Sequence, residues 1–251
     1  MYQAKDLDEI FNNNKFNFAS SHNDVEAWIK DQNNNLKEAL MRVHAYGRVR
    51  SLYDFHELVK LENIKKIKKL CVVSGSSEEL ESQFVNYDEI FVTTLEDGFD
   101  LTADWLDNPE IKKQIESSDF VLCNQVLEHV PNPEDAFRNI CMLAKKGGYI
   151  WISIPVINRI HDEPNFYSSG YHPRLLKYFG DILNLEVIHI GAWGSLKNKV
   201  FSVSRNWPPF KKLKRGLSSN SNLYFPWTIF NNGLKNNYKH MTDTWALYQK
   251  K

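Results

Sequence analysis

The chain has 251 residues, 42% of them hydrophobic and 13% aromatic, which suffices to bury a sizeable core in one α/β domain with an appended piece. Lys+Arg and Asp+Glu both number 31, so the formal net charge is zero and bulk electrostatics favours neither a nucleic-acid nor a membrane partner. Met1–Asn17 is polar and no apolar run approaches the ~20 residues that span a bilayer, so no secretory signal or anchor is expected and a cytoplasmic location is read.

Two amphipathic helices open the chain, one on Leu36, Leu40 and Val43, the other on Leu52, Phe55, Leu58 and Leu61. They form an N-terminal helical extension, 1–62, ahead of a domain over 63–251. The first apolar strand is Lys69–Ser74, followed by Gly75 and a helical stretch to Phe84. Glu89–Thr94 is a second strand ending in an acidic turn, Leu95–Gly98, and Phe99–Ala103 reads as a third. Asn108–Glu116 reads as helix, with Pro109 in the first turn, where a missing N–H costs little.

Phe120–Cys123 is an unbroken apolar run, as expected of a strand buried on both faces. The helix after it is fully punctuated. Asn132 stands at the cap, Pro133 at the first position and Glu134 and Asp135 in the first turn, while Lys145 and Lys146 fill the last turn and Gly147 ends it. Tyr149–Ile154 is the next strand, stopped by Pro155. A polar, aromatic loop at Asn158–Tyr171, a helix over Pro173–Leu183 and a strand at Glu186–Ile190 follow. Residues 192–238 are irregular, and so long a connection reads as a lid or as an interface, the latter leaving room for a homodimer. Thr242–Tyr248 is the last strand. Strands alternating with helices predict right-handed βαβ units around a mostly parallel sheet, with helices on both faces.

Three cysteines, Cys71, Cys123 and Cys141, lie in apolar segments and read as reduced core residues. No Cys/His cluster has zinc-ligand spacing, so no metal is expected. The basic runs Lys65–Lys69 and Lys211–Arg215 read as solvated helix faces.

Ligands of open parallel sheets bind outside the carboxyl ends of the strands, so the polar residues just after each strand are the candidates. One stretch of these carries a resemblance. Asn124–Pro133, with its Leu127-Glu128-His129-Val130 core, then a helix, then Lys145-Lys146-Gly147-Gly148-Tyr149, resembles the class I S-adenosylmethionine (SAM)-dependent methyltransferases. His161 and Pro164–Tyr167, together with Gly191–Gly194, look like the substrate loop and sixth strand of small-molecule and sugar methyltransferases. The resemblance implies a Rossmann-like sheet whose last strand is antiparallel, with SAM as cofactor.

It also implies roles for single residues. Ser74, Gly75 and Ser76 would line the methionine moiety and Glu96, or Asp97, would take the ribose hydroxyls. Asp104 would meet the adenine amine with Trp105 stacking on the ring, although a helix cap and core packing are the plain alternatives for this pair. Asn124 and Gln125 would sit by the sulfonium. His129 is the first choice of base and His161 the second, and Glu128, Asn158, Arg159, Tyr167, His172 and Trp193 are candidate substrate contacts. The segment Cys71–Ser77 departs from the family pattern, keeping a single glycine and lacking its usual acid. The reading is therefore an enzyme that methylates an oxygen of a small polar metabolite, a sugar, sugar nucleotide or phosphoryl-type derivative of surface-polysaccharide biosynthesis. The alternative is a non-catalytic protein of the same fold acting as a binding or regulatory partner.

Overall fold

The apolar runs lie side by side. In a computed structural model, which describes residues 10–11, 22–42, 46–64, 66–73, 75, 77, 79–93, 101, 103–158, 161, 165–194 and 240–251, six strands form one sheet among the described residues. They are β1 (Lys66–Val73), β2 (Asn86–Val92), β3 (Ser118–Asn124), β4 (Ala144–Pro155), β5 (Leu185–Gly194) and β6 (Met241–Lys250), in the order β2-β1-β3-β4-β6-β5. The first four are parallel, and β6 runs antiparallel to both β4 and β5.

Side chains alternate across a strand, and here the alternation sorts them between two cores. Cys71, Val73, Val121, Cys123, Ile150 and Ile152 join one cluster, while Leu70, Val72, Phe120, Leu122 and Trp151 join the other. The first is covered by α6 (Pro133–Leu143) and α7 (Pro173–Ile182), through Phe137, Ile140, Leu176 and Phe179. The second is covered by α1 (His22–Asp31), α2 (Asn34–Arg42) and α3 (Tyr46–Leu61). Phe55 of α3 stands edge-on to Trp151 at 5.0 Å and to Phe120 at 5.7 Å. A polar tie backs this packing: the buried Asp54 accepts from Trp245 Nε1 at 3.0 Å, and His189 Nε2 lies 3.5 Å from the same carboxylate. Gly191 makes room for it, since a Cβ there would lie 2.2 Å from the Trp245 indole nitrogen. The expected boundary at residues 62–63 falls between α3 and β1.

Several elements differ from the sequence expectation. The helix capped by Asn132, which accepts from the Asp135 N–H at 3.3 Å, stops at Leu143 instead of running to Lys146. Residues 145–148 form the bulged opening of β4, with Gly147 at φ +75. The buried Ala144 pairs with Ser118 of β3 at this point, and Asp119 beside it pairs with Lys145 and accepts the Lys68 and Lys69 N–H groups. The run at Lys66–Lys69 is not a helix face but the first half of β1, where exposed Lys66 and Lys68 alternate with the buried Ile67. Leu101 lies in a bend at φ 57 and Ala103 opens the short helix α4 (Ala103–Asp107), so these two residues do not extend a third strand; Phe99, Asp100 and Thr102 lie outside the described residues. The next helix, α5, is confined to Pro109–Lys112, and among the described residues of the stretch expected to be helical after Gly75, Leu80–Phe84 form a 3-10 turn. Leu61, expected on an inner stripe, is 52% exposed. β5 continues through Gly194, so Ala192–Gly194 belong to the sheet and not to the long connection; 195–239, including Lys211–Arg215, lie outside the described residues. Cys71, Cys123 and Cys141 are free thiols and buried, as expected. Among the described residues no helix is long and apolar enough to cross a membrane.

Candidate active site

The carboxyl ends of β1, β3 and β4 open at one edge, and the antiparallel β6 begins there. Asp243 pairs with Pro155 at the end of β4 and with Trp193 at the end of β5. Two groups of polar residues stand at this edge.

The first surrounds Gly75. A Cβ on this residue would lie 2.8 Å from Val72 Cγ1 and 2.9 Å from Glu79 Oε1, so glycine lets both side chains close against the turn after β1. Glu79 reaches back over that turn, its Oε2 accepting from Asn124 Nδ2 at 3.4 Å, while Asn124 Oδ1 accepts from Ser153 Oγ at 2.9 Å. Gln125 follows at φ 54, a conformation uncommon for a residue with a side chain, and its N–H donates to the Ser153 carbonyl at 2.8 Å. Its side-chain amide nitrogen is buried with no hydrogen-bond partner. Arg48 of α3 approaches from the other side, forked onto the fully buried Glu81 and 3.5 Å from Glu79. Burial works against the guanidinium charge, but Glu81 and Glu79 raise its pKa nonetheless. Burial and the neighbouring Glu81 push the Glu79 carboxyl above its usual range.

The second group follows β3 and β4. Leu127–His129 form a 3-10 turn clamped by the loop after β4: Tyr171 Oη donates to the Leu127 carbonyl at 2.9 Å, and the Tyr167 and Ser168 N–H groups donate to the Glu128 carbonyl at 2.8 and 3.2 Å. The Glu128 side chain is 0% exposed, and neither carboxylate oxygen has a hydrogen-bond partner. Burial pushes this carboxyl up to about 7; its own backbone N–H pulls the other way by less, and Asp243 adds to the rise. Burial likewise raises Asp243 to about 6, against the pull of Thr242 and Arg48. His129 Nδ1 lies 2.8 Å from the Asn165 carbonyl. A carbonyl only accepts, so Nδ1 carries the proton and Nε2 keeps its lone pair. His161 stands edge-on to His129, ring centres 4.8 Å apart, and Phe166 packs against both.

The structure thus brings Gly75, Asn124 and Gln125 into one group and Glu128, His129 and His161 into another. Asn158 lies close by, its N–H donating to the Ser169 carbonyl, and Tyr167 is 56% exposed on the same loop. Two expectations need correction. Trp105, expected to stack on a cofactor ring, is 1% exposed within the core cluster of α6 and α7. Trp193, expected at the substrate, is 2% exposed and packs edge-on to Tyr46 at 4.7 Å. His172 caps α7, its Nδ1 accepting from the Arg174 N–H at 3.2 Å. Ser74, Ser76, Glu96, Asp97 and Arg159 lie outside the described residues, as does the Asp104 side chain, whose backbone lies in α4. Sequence reasoning missed Arg48, Glu79, Glu81 and Asp243. The signal for Glu79 and Glu81 was two acids, one residue apart, just after the glycine turn; Arg48 and Asp243 come from distant segments and carried none.

A parallel sheet closed by an antiparallel last strand, with polar residues gathered at the carboxyl ends of its central strands, is the Rossmann-like architecture of a methyltransferase. Residues 53–185, more than half of the chain, match the family model described as "Methyltransferase domain". The chain belongs to that family, the class I SAM-dependent methyltransferases, whose cofactor is S-adenosylmethionine. No curated protein sequence matches the chain. Among solved structures, a Galdieria sulphuraria protein assigned as a sarcosine dimethylglycine methyltransferase is 12% identical, with a TM-score of 0.49 over 80% of this chain and 86% of that one. Haemonchus contortus phosphoethanolamine N-methyltransferase 2, in complex with S-adenosyl-L-methionine, is 12% identical with a TM-score of 0.45; 92% of this chain is covered and it spans 57% of that one. A SAM-dependent methyltransferase from Archaeoglobus fulgidus is 12% identical, with a TM-score of 0.42 over 79% and 94% of the two chains.

Proposed function

We propose that this chain binds S-adenosylmethionine beside Gly75, Asn124 and Gln125 and methylates an oxygen of a small polar metabolite, a sugar or sugar nucleotide of surface-polysaccharide synthesis. The observation that carries the reading is the buried, unpartnered amide nitrogen of Gln125 at the end of β3, next to the Asn124–Glu79 hydrogen bond and the turn in which only a glycine fits under Val72 and Glu79. A buried polar group without a partner is costly, and a bound ligand with acceptor oxygens relieves it. When bound, the cofactor supplies a methyl group on a positively charged sulfur.

The chain's own part is positioning. Acceptor and methyl have to be held in line, which is the larger share of the acceleration for such a displacement. Asn124 and Gln125 hold the donor side. On the acceptor side, Glu128, His129 and His161 face the proton that a hydroxyl acceptor loses, and the Nε2 lone pair of His129 is the basic site there. Asn158, Tyr167, Ser74, Ser76, Glu96, Asp104 and Arg159 complete the proposed contacts.

Calorimetry with S-adenosylmethionine and S-adenosylhomocysteine tests the first half. Micromolar binding of either supports it, and no heat at millimolar ligand makes the chain a non-catalytic member of its family. Transfer of a labelled methyl group to a panel of sugars, sugar nucleotides and amines tests the second. Label on an amine alone overturns the oxygen assignment.

A further inference from the structure

Glu128, His129 and His161 each place one ligand atom within 4.8 Å of the others, although His161 is 32 residues from His129 in sequence. Ligand atoms at the corners of a tetrahedron around an ion with bonds of about 2.1 Å stand about 3.4 Å apart, so the set closes on an ion by side-chain movements of about an ångström. We propose that these three residues form a site for a first-row divalent transition ion, of which Zn2+ is the representative.

Three independent features support a ligand here. The Glu128 side chain is wholly buried, and neither of its oxygens has a hydrogen-bond partner. A carboxylate so placed is expensive, and a dication removes the expense by bonding to it directly. His129 already carries the supporting contact of a metal-bound imidazole: one ring nitrogen donates to the Asn165 carbonyl, which fixes the tautomer and points the other outward as a ligand. Phe166 packs against both imidazoles, holding the rings and excluding water from one flank. Two imidazoles with one carboxylate suit Zn2+, Fe2+ or Co2+ and not Mg2+ or Ca2+, which take oxygen ligands.

Three protein ligands leave positions open. The site lies past the ends of β3 and β4, on the acceptor side, so the open positions suit an acceptor oxygen; this clause rests on the function proposed above. A hydroxyl bound there would be acidified by the ion and would lose its proton to solvent water, so with the ion in place His129 Nε2 would serve as a ligand and would act as base only in the ion-free chain. The acceptor class is accordingly one with a hydroxyl, paired with a second oxygen that completes the coordination.

The test uses the full chain, stripped with chelator and dialysed, then titrated with Zn2+ and with Co2+. Bound ion is counted by mass spectrometry and the ligand set is read from the visible absorption of Co2+. One ion per chain is expected, with His129→Gln and His161→Gln each weakening binding about tenfold or more and altering the Co2+ spectrum. Glu128 is buried, so Glu128→Gln is accompanied by circular dichroism, and the two histidine variants carry the test should it not fold. A chain that holds no Zn2+ at micromolar concentration overturns the site, as does binding unchanged in both histidine variants. S-adenosylhomocysteine calorimetry on the same preparations separates the two proposals. Cofactor binding without Zn2+ ends the metal site alone, and Zn2+ binding without cofactor ends the cofactor reading while the ion stands.

Discussion

Asp119 joins three segments at once. It accepts the backbone N–H groups of Lys68 and Lys69 at 3.1 and 2.8 Å and pairs with Lys145, joining the start of β1 to the bulged opening of β4. Burial alone would raise its pKa, but these bonds outweigh burial and lower it. Asp119→Ala should cost about 1–2 kcal/mol at neutral pH, most of it from the backbone donors left without their acceptor, since Lys145 is half exposed and its pairing screened; urea unfolding checks this. At Gly75, an alanine pushes against the buried Val72 and against Glu79, loosening the bond of Glu79 with Asn124. Some loss of stability, read from the melting temperature, therefore accompanies the binding loss, and the affinity is compared on the folded variant. S-adenosylhomocysteine affinity should then fall about tenfold, ~1.4 kcal/mol. Equal affinity in Gly75→Ala would remove this turn from the cofactor site. His129→Gln should lower turnover while S-adenosylhomocysteine affinity stays within about twofold, and an equal loss of both would make the imidazole a prop for the loop after β4.

At the scale of elements, what the chain disclosed in advance depended on whether the signal was local. β3 and the start of α6 were legible because apolar run, cap, Pro133 and acidic first turn are neighbours in sequence. The end of α6 was not legible because the buried Ala144 pairs with Ser118 of β3, a partner outside the helix, and the chain enters the sheet before Lys145–Gly147. Lys66 and Lys68 hid a strand since edge-exposed lysines look alike on a helix and on a ribbon. Of the site, Asn124, Glu128 and His129 were found because the strand before them was; the pairing of His129 with His161 depends on a loop path that no spacing rule contains. α3 was legible as a helix but not as a layer of the sheet. Phe55→Ala, which empties the contact with Phe120 and Trp151, should destabilise the protein by about 3–5 kcal/mol in denaturant melts. A loss under about 1 kcal/mol would show that α3 is not held to the sheet by this ring.

For the whole molecule, carboxyls of opposite behaviour shape the dependence of stability on pH: Glu128 and Asp243, raised to about 7 and about 6, on one side and Asp119, lowered, on the other. Asp243, raised to about 6 by burial, stabilises the fold in its protonated form. That contribution is complete below its unfolded value, roughly 3.9, and is lost as pH climbs through about 6. Asp119, lowered, contributes above its unfolded value and loses that contribution as pH falls through its folded one. Melting temperature should therefore decline from mildly acidic toward neutral pH and fall again in strong acid. Asp243→Asn should make the first limb shallower, leaving the part that Glu128 carries, and should not change the second. A variant whose neutral limb matched the wild type would show that another buried group governs it.

The place of β6 between β4 and β5 also has a consequence in time. β5 is made before β6, yet among the described residues its only strand neighbour is β6. Until residues 241–250 have been synthesised and threaded into the gap, β5 lacks that neighbour, and Asp243 has not reached the edge where Glu128 and Arg48 wait. A nascent chain can assemble β1 to β4 from contacts close in sequence, but its candidate active site is completed by a late, long-range step of the kind that slows folding. Shortening the chain by its last ten residues should then remove two strands at once, and with them the floor of the site.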